Sequence, residues 1–151
     1  MSCDNKHKGM TLIVKTITRL TVGLILLYGL YITLHGHISP GGGFAGGVIV
    51  AISFIHLMLA FGREEALRIL PKSFIAVLES VGALLFLGIA ILGFMGGYFF
   101  LDWFSKGKPF ELFSAGSIIF SNIAIALKVG LGLFGIFLVL ILLKFTSKDE
   151  Q

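Results

Sequence analysis

Glu79, Lys128, Arg19 and His56 stand inside long apolar stretches of this chain, and His35 and His37 open the segment HGHISPGGGFAGG at residues 35–47. An ionisable group in hydrocarbon is expensive, about 3 kcal/mol for a mid-depth lysine on insertion scales, so it faces protein or water and marks an ion path or a structural pair. Lys128 falls eleven residues into its apolar stretch, roughly 17 Å at the helical rise and so near mid-membrane. Glu79 lies six residues inside the stretch before it, Arg19 seven residues along the first, and His56 five residues from the end of the second. Those depths group Arg19, His56 and Glu79 into one expected polar cluster, with Glu79 about 9 Å from the edge. Measured from Leu143, Lys128 sits about 22 Å from that edge, roughly 13 Å beyond Glu79. The expected partner of Lys128 is therefore a carboxylate of a neighbouring subunit or a water-filled cavity, with a snorkelling stem or a structural pair as the plainer alternative.

The histidine and glycine segment admits three chemistries. A metal site would use His35 and His37, but two residues apart they point different ways on a helix, no Asp, Glu or Cys lies in the segment, and His56 is most of a span away. No metal site is assigned. A phosphate cradle would need a Lys and a Ser or Thr directly after the glycines, and they are absent. A hinge has a direct mechanism: Pro40 lacks a backbone donor and disfavours helix at Ser39, while Gly41, Gly42 and Gly43 reach angles other residues avoid. Gly43, Gly46 and Gly47 then leave the start of the next helix bare, so another backbone can press on it. Cys3 is the single cysteine, so neither a disulfide nor a Cys-based zinc or iron–sulfur site is indicated, and no cofactor is expected in this chain.

These residues need elements to hold them, and the composition names the elements. Of 151 residues 56% are hydrophobic and 13% charged, about half the charged share of a soluble domain. Apolar stretches long enough to cross a bilayer as helices recur. The expectation is an all-α integral membrane protein, a single membrane domain over residues 1–151, with four transmembrane helices at approximately 12–34, 43–61, 73–100 and 117–143. Gly62 is the expected terminator of the second. Lys15 and Arg19, four residues apart, share one face of the first span. The N-terminal residues lack the apolar core and cleavage site of a signal peptide.

Basic residues stay on the cytoplasmic side. Lys6, Lys8, Lys15, Arg19, Arg63, Arg68, Lys72, Lys144 and Lys148 fall on one side and only Lys106 and Lys108 on the other. Both termini are expected in the cytoplasm, the HGHISPGGG turn outside, and the chain in the cell (plasma) membrane as a multi-pass protein. The net charge of +4 reports this topology, and no basic helix or interleaved aromatic motif points to nucleic acid. Helices in lipid associate at small residues, for which Gly43/Gly47, Gly93/Gly97 and Ala126/Gly130 are candidates.

HGHISPGGGFAGGVIVA, LESVGALLF around Glu79 and NIAIALKVGLGLF around Lys128 together resemble the B subunit (MnhB/MrpB family) of multisubunit Mrp-type sodium/proton antiporters, from about Leu20 to Leu143. His35, Pro40, Gly41, Gly42, Gly43, Gly46 and Gly47 match its signature, and Glu79 and Lys128 its intramembrane charges; Arg19 and His56 are placed by depth alone. The resemblance implies a non-catalytic subunit that works among other membrane subunits, moving sodium ions and protons across the lipid bilayer. The same module occurs in membrane-bound hydrogenase and sulfur reductase complexes, where ferredoxin-derived redox energy drives ion pumping and the redox chemistry lies in other subunits. A purely structural scaffold with no ion path of its own is the alternative. An independent membrane enzyme built on the histidines is a third reading, and it would require bound metal.

Overall fold

The computed structural model describes residues 10–38, 40–98 and 116–149. Within them the chain is all-helical: α1 spans Leu12–Leu34, α2 Gly42–Phe61, α3 Arg63–Ile69, α4 Lys72–Met95 and α5 Ile118–Asp149. Four of these, α1, α2, α4 and α5, are long and apolar enough to cross a membrane. Helix is the form that hydrocarbon demands, because each segment must satisfy its own backbone polar groups. Buried hydroxyls obey the same rule: Thr33 Oγ1 donates to the Gly29 carbonyl at 2.8 Å and Ser53 Oγ to that of Val50 at 2.6 Å.

The helices are not in chain order. α1 packs on α2, α2 on α5, and α5 on α4, so the helix last in sequence lies between the second and fourth. Its core-facing residues Leu131, Phe134 and Leu138 meet Met58 of α2 and Ile75 of α4, with Phe134 at 0% exposure. α3 closes one end of this core with Ala66 and Leu70. This short helix was not expected. It lies between Gly62 (φ 92°) and Pro71, and it buries Ala66 and Leu70 while its first-turn Glu64 and Glu65 are exposed.

One expected boundary shifts. The third span was expected to reach Phe100, but α4 ends at Met95, where the Gly96 and Gly97 N–H groups turn back to the Gly93 and Phe94 carbonyls at 3.1 and 3.0 Å. Gly97, at φ 102°, ends the helix and has nothing among the described residues within 4 Å of where a Cβ would be, while Gly93 is buried. The apolar span within α5 runs Ile118–Leu143, against an expected 117–143, and the helix itself continues to Asp149. Gly62 ends α2 as expected, its N–H on the Met58 carbonyl at 2.9 Å. Cys3, Lys6, Lys8, Ser39, Phe100, Lys106 and Lys108 lie outside the described residues.

Candidate functional site

The signature turn is built by its glycines. α1 stops at Leu34, and His35 caps it with its backbone N–H on the Tyr31 carbonyl at 3.0 Å. Gly41 (φ 137°) and Gly42 (φ 60°) then reverse the chain into α2 at backbone angles that L side chains avoid. The first two turns of α2 fit between two neighbours. Gly46 faces α1, where a methyl group would strike Thr33 and sit 2.9 Å from the Gly29 carbonyl oxygen. Gly43 and Gly47 face α5: a methyl group at Gly47 would lie 2.8 Å from the Ala126 carbonyl oxygen, and one at Gly43 would overlap the Asn122 backbone. Gly130 in turn presses on the Gly47 carbonyl, whose oxygen would be 3.1 Å from a Cβ there. The two small-residue pairs Gly43/Gly47 and Ala126/Gly130 are thus the two sides of one crossing.

Asn122, which sequence reasoning passed over, belongs to this turn. Its side-chain oxygen accepts the Gly43 N–H at 3.3 Å. Its amide nitrogen is buried with no hydrogen-bond acceptor among the described residues, and a methyl group on Gly36 would come within 2.7 Å of it. A polar side chain in the first turns of a transmembrane helix was the available signal. His35 and His37 are secondary here: the His35 ring stacks on Tyr31 at 4.2 Å between centroids, with Nδ1 3.2 Å from the Tyr31 carbonyl oxygen, and His37 is half-buried.

Glu79 and Lys128 are brought together. Lys128 Nζ donates to Glu79 Oε1 at 2.5 Å across the α4–α5 seam. This corrects the expectation that the two lie too far apart in depth and that the lysine needs a partner elsewhere. Equal depth for Ser73 and Leu143 does not hold. In the structure Gly82 faces Ala124 and Lys128, Glu79 faces Gly132, and Ile75 faces Gly135, which sets Lys72 level with Leu138 and Val139 in one groove. α5 therefore runs past the start of α4, and Lys128 is only about one helical turn, roughly 5 Å, beyond Glu79.

Glycine again makes the approach possible. A methyl group on Gly82 would lie 3.1 Å from the Ala124 carbonyl oxygen and from the Lys128 backbone nitrogen, and one on Gly132 would lie 3.7 Å from Glu79 Oε1. The pair is not enclosed: the Lys128 and Glu79 side chains are 48% and 34% exposed. Grooves of about 230 and 520 Å³ flank it on the outer surface of α4 and α5, the first lined by Gly82, Ala83, Phe86 and Lys128, the second by Ala76, Glu79, Gly132 and Gly135.

The cluster of Arg19, His56 and Glu79 does not form. Arg19 sits on α1 over the ring of Phe61, 5.2 Å from its centroid, beside Lys15 at 5.9 Å, whereas Glu79 is on the far side of α5, engaged by Lys128. His56 is exposed on α2. Similar depth placed the three residues together, but depth says nothing of which helix faces which. Among the described residues no three His, Cys, Asp or Glu side chains gather as a metal site would require.

Comparison with known proteins bears on this arrangement. Residues 13–135 match a domain described as related to the MnhB subunit of Na+/H+ antiporter. A protein of Staphylococcus aureus (strain Newman) named as antiporter subunit mnhB2 is 35% identical over 134 residues, 82% of this chain and 94% of that protein. An uncharacterized protein of Methanocaldococcus jannaschii is 39% identical over 117 residues, 73% of this chain but 44% of its own length. Among solved structures, a chain of the membrane-bound sulfane sulfur reductase, an archaeal respiratory membrane complex, aligns with a TM-score of 0.73 and 31% identity, over 89% of this chain and 61% of that one. This chain thus spans less than two thirds of the latter two. With its four apolar helices, it is a multi-pass protein of the plasma membrane, and it belongs to the MnhB-related family of antiporter subunits.

Proposed function

We propose that this chain is a small, non-catalytic membrane subunit of a Mrp-type sodium/proton antiporter module, and that its Glu79–Lys128 pair borders the route taken by the ions. The antiporter-subunit name of the S. aureus relative and the respiratory complex that holds the aligned chain support the assembly. The same reading covers a free-standing antiporter and a redox-driven complex in which other subunits do the electron transfer. Both termini face the cytoplasm in it, and the partners are other membrane subunits.

The observation that carries the reading is the placement of the pair. Two opposite charges are held together within the spans, yet both remain substantially exposed on the outer face of α4 and α5. Lipid cannot solvate them there, so a neighbouring subunit or water must. A lone structural lock would be better enclosed.

Glu79→Gln, Lys128→Gln and the double variant, tested for co-purification of the complex and for sodium-dependent proton flux in vesicles, decide the matter. Each single change leaves one unpaired charge, which is costly in itself; the double change removes both charges and isolates their role. The expected result is that the double variant assembles and does not transport. Restored assembly together with restored flux would reduce the pair to a lock and favour a scaffold.

A further inference from the structure

An antiporter module moves two ions, and the surroundings of Glu79 and Lys128 discriminate between them. A sodium ion inside a membrane exchanges its water for several oxygen ligands, which transport proteins supply from side chains and from the carbonyls of unwound helix. A proton needs only one group able to take it up.

Sodium finds few oxygens here. Of the side chains that line the two grooves beside the pair, among the described residues, Glu79 alone carries oxygen. α4 runs unbroken through Lys72–Met95 and α5 through Ile118–Asp149, so the main-chain carbonyls at this level are committed to their own helices. Gly82, Gly132 and Gly135 line the grooves and widen them without adding a ligand.

The one carboxylate is also taken. Lys128 Nζ donates to Glu79 Oε1 at 2.5 Å, standing where a cation would stand and leaving the pair with no net negative charge. Lys72 lines the same groove as Glu79, seven residues and so about 10 Å back along α4, and adds a second positive charge. The same features suit a proton. α5 is the helix packed against α4, and the titratable side chains on the two, among the described residues, are Lys72 and Glu79 on α4 and Lys128 on α5. Glu79 Oε2 accepts no hydrogen bond from the described residues, and the carboxylate borders the groove of about 520 Å³.

We infer that the Glu79–Lys128 pair handles protons and not sodium. A proton from water in the groove adds to the Glu79 carboxylate, the neutral acid releases the Lys128 ammonium, and loss of that proton to water restores the pair. One proton enters and one leaves, and no metal ion is coordinated. The inference rests on the proposed ion route and assigns it to the proton half of the exchange, so sodium crosses elsewhere in the assembly.

Two measurements on the assembled complex test it. The first is equilibrium binding of radioactive sodium to the complex carrying both Glu79→Gln and Lys128→Gln, alongside flux. Transport lost with sodium binding at the wild-type stoichiometry is the expected result. Transport lost together with a bound sodium keeps the ion route and overturns the proton assignment, whereas transport retained takes the pair off the route and the assignment falls with it. The second is sodium-dependent proton flux in vesicles as a function of pH and of sodium concentration for Glu79→Asp, which draws the carboxylate back by one methylene and keeps its charge. The pH of half-maximal flux is expected to move by about one unit, the lower end of what an opposite charge does to a neighbouring carboxylate, with the half-saturating sodium concentration unchanged. An unmoved pH profile, or a change in half-saturating sodium in its place, overturns the inference. Where Glu79→Asp gives no flux, Lys72→Gln is read in the same two ways, since it alters the charge along the groove without touching the pair.

Discussion

α5 has two seams, and they are made differently. Toward α2 it presents Asn122, Ala126 and Gly130 to Gly43 and Gly47, and backbone meets backbone so closely that a single methyl group has no room. Toward α4 it presents Lys128 and Gly132 to Glu79 and Gly82, with open grooves on both sides of an ion pair. Close packing of small residues is how helices hold together in lipid, where burying apolar surface gains little. The α2 seam uses it fully. The α4 seam gives up part of that packing to keep two charges near one another and partly accessible. The contrast separates holding the chain together from presenting charge, and it gives each seam its own signature under mutation.

The largest effect is expected at the tighter seam. Gly43→Ala puts a methyl group into the Asn122 backbone, and the atoms it meets are main chain that cannot step aside. A loss of about 3 kcal/mol, at the upper end of overpacking costs, is expected. Thermal stability of the detergent-solubilised chain, followed by size-exclusion chromatography, reads it; a variant as stable as the wild type would mean that this crossing is looser than described. Gly82→Ala probes the other seam, where the nearest main-chain atoms would stand at 3.1 Å and α4 can yield by a few tenths of an ångström. About 1 kcal/mol is expected, together with a measurable drop in ion flux because the shift separates Glu79 from Lys128. Equal losses of stability at the two glycines would erase the distinction between the seams.

The four spans were legible because hydrophobic length is a property of each segment alone, and so was the turn at residues 40–43, whose residue types permit little else. Gly43/Gly47 and Ala126/Gly130 were legible as candidates; that they face each other was not, since pairing is a relation between helices. The polar residues show the same divide. Glu79 and Lys128 could be singled out by the cost of charge in hydrocarbon, yet their contact depends on how far α5 slides past α4, which no residue of either helix reports. α3 escaped notice because seven residues hold too few turns for a helical period to stand out. Asn122 was hidden by being uncharged, although its neighbours Ser117 and Ser121, whose Oγ donates to the Ser117 carbonyl at 3.1 Å, mark the same polar entry into α5.

The smallest effect carries the comparison beyond the chain itself. Gly88 sits about two thirds of the way along α4, and nothing among the described residues lies within 4 Å of the position its Cβ would take. Within this chain alone Gly88→Ala should be harmless or should stabilise the helix by about 0.5–1 kcal/mol, the ordinary cost of glycine in a helix interior. A neighbouring helix packed on that face of α4 would reverse the outcome, because the methyl group would then meet its backbone as one at Gly43 meets α5. Measured on the isolated chain and again as co-purification of the complex, the substitution distinguishes a lipid-facing glycine from one kept for a partner. Stability gained alone and assembly lost in the complex would place a neighbouring helix on the face of α4 turned away from Glu79, which lies nine residues and so about half a revolution round the helix from Gly88. Gain in both would leave that face of α4 to lipid, with the partner contacts of this helix confined to the side that carries Glu79.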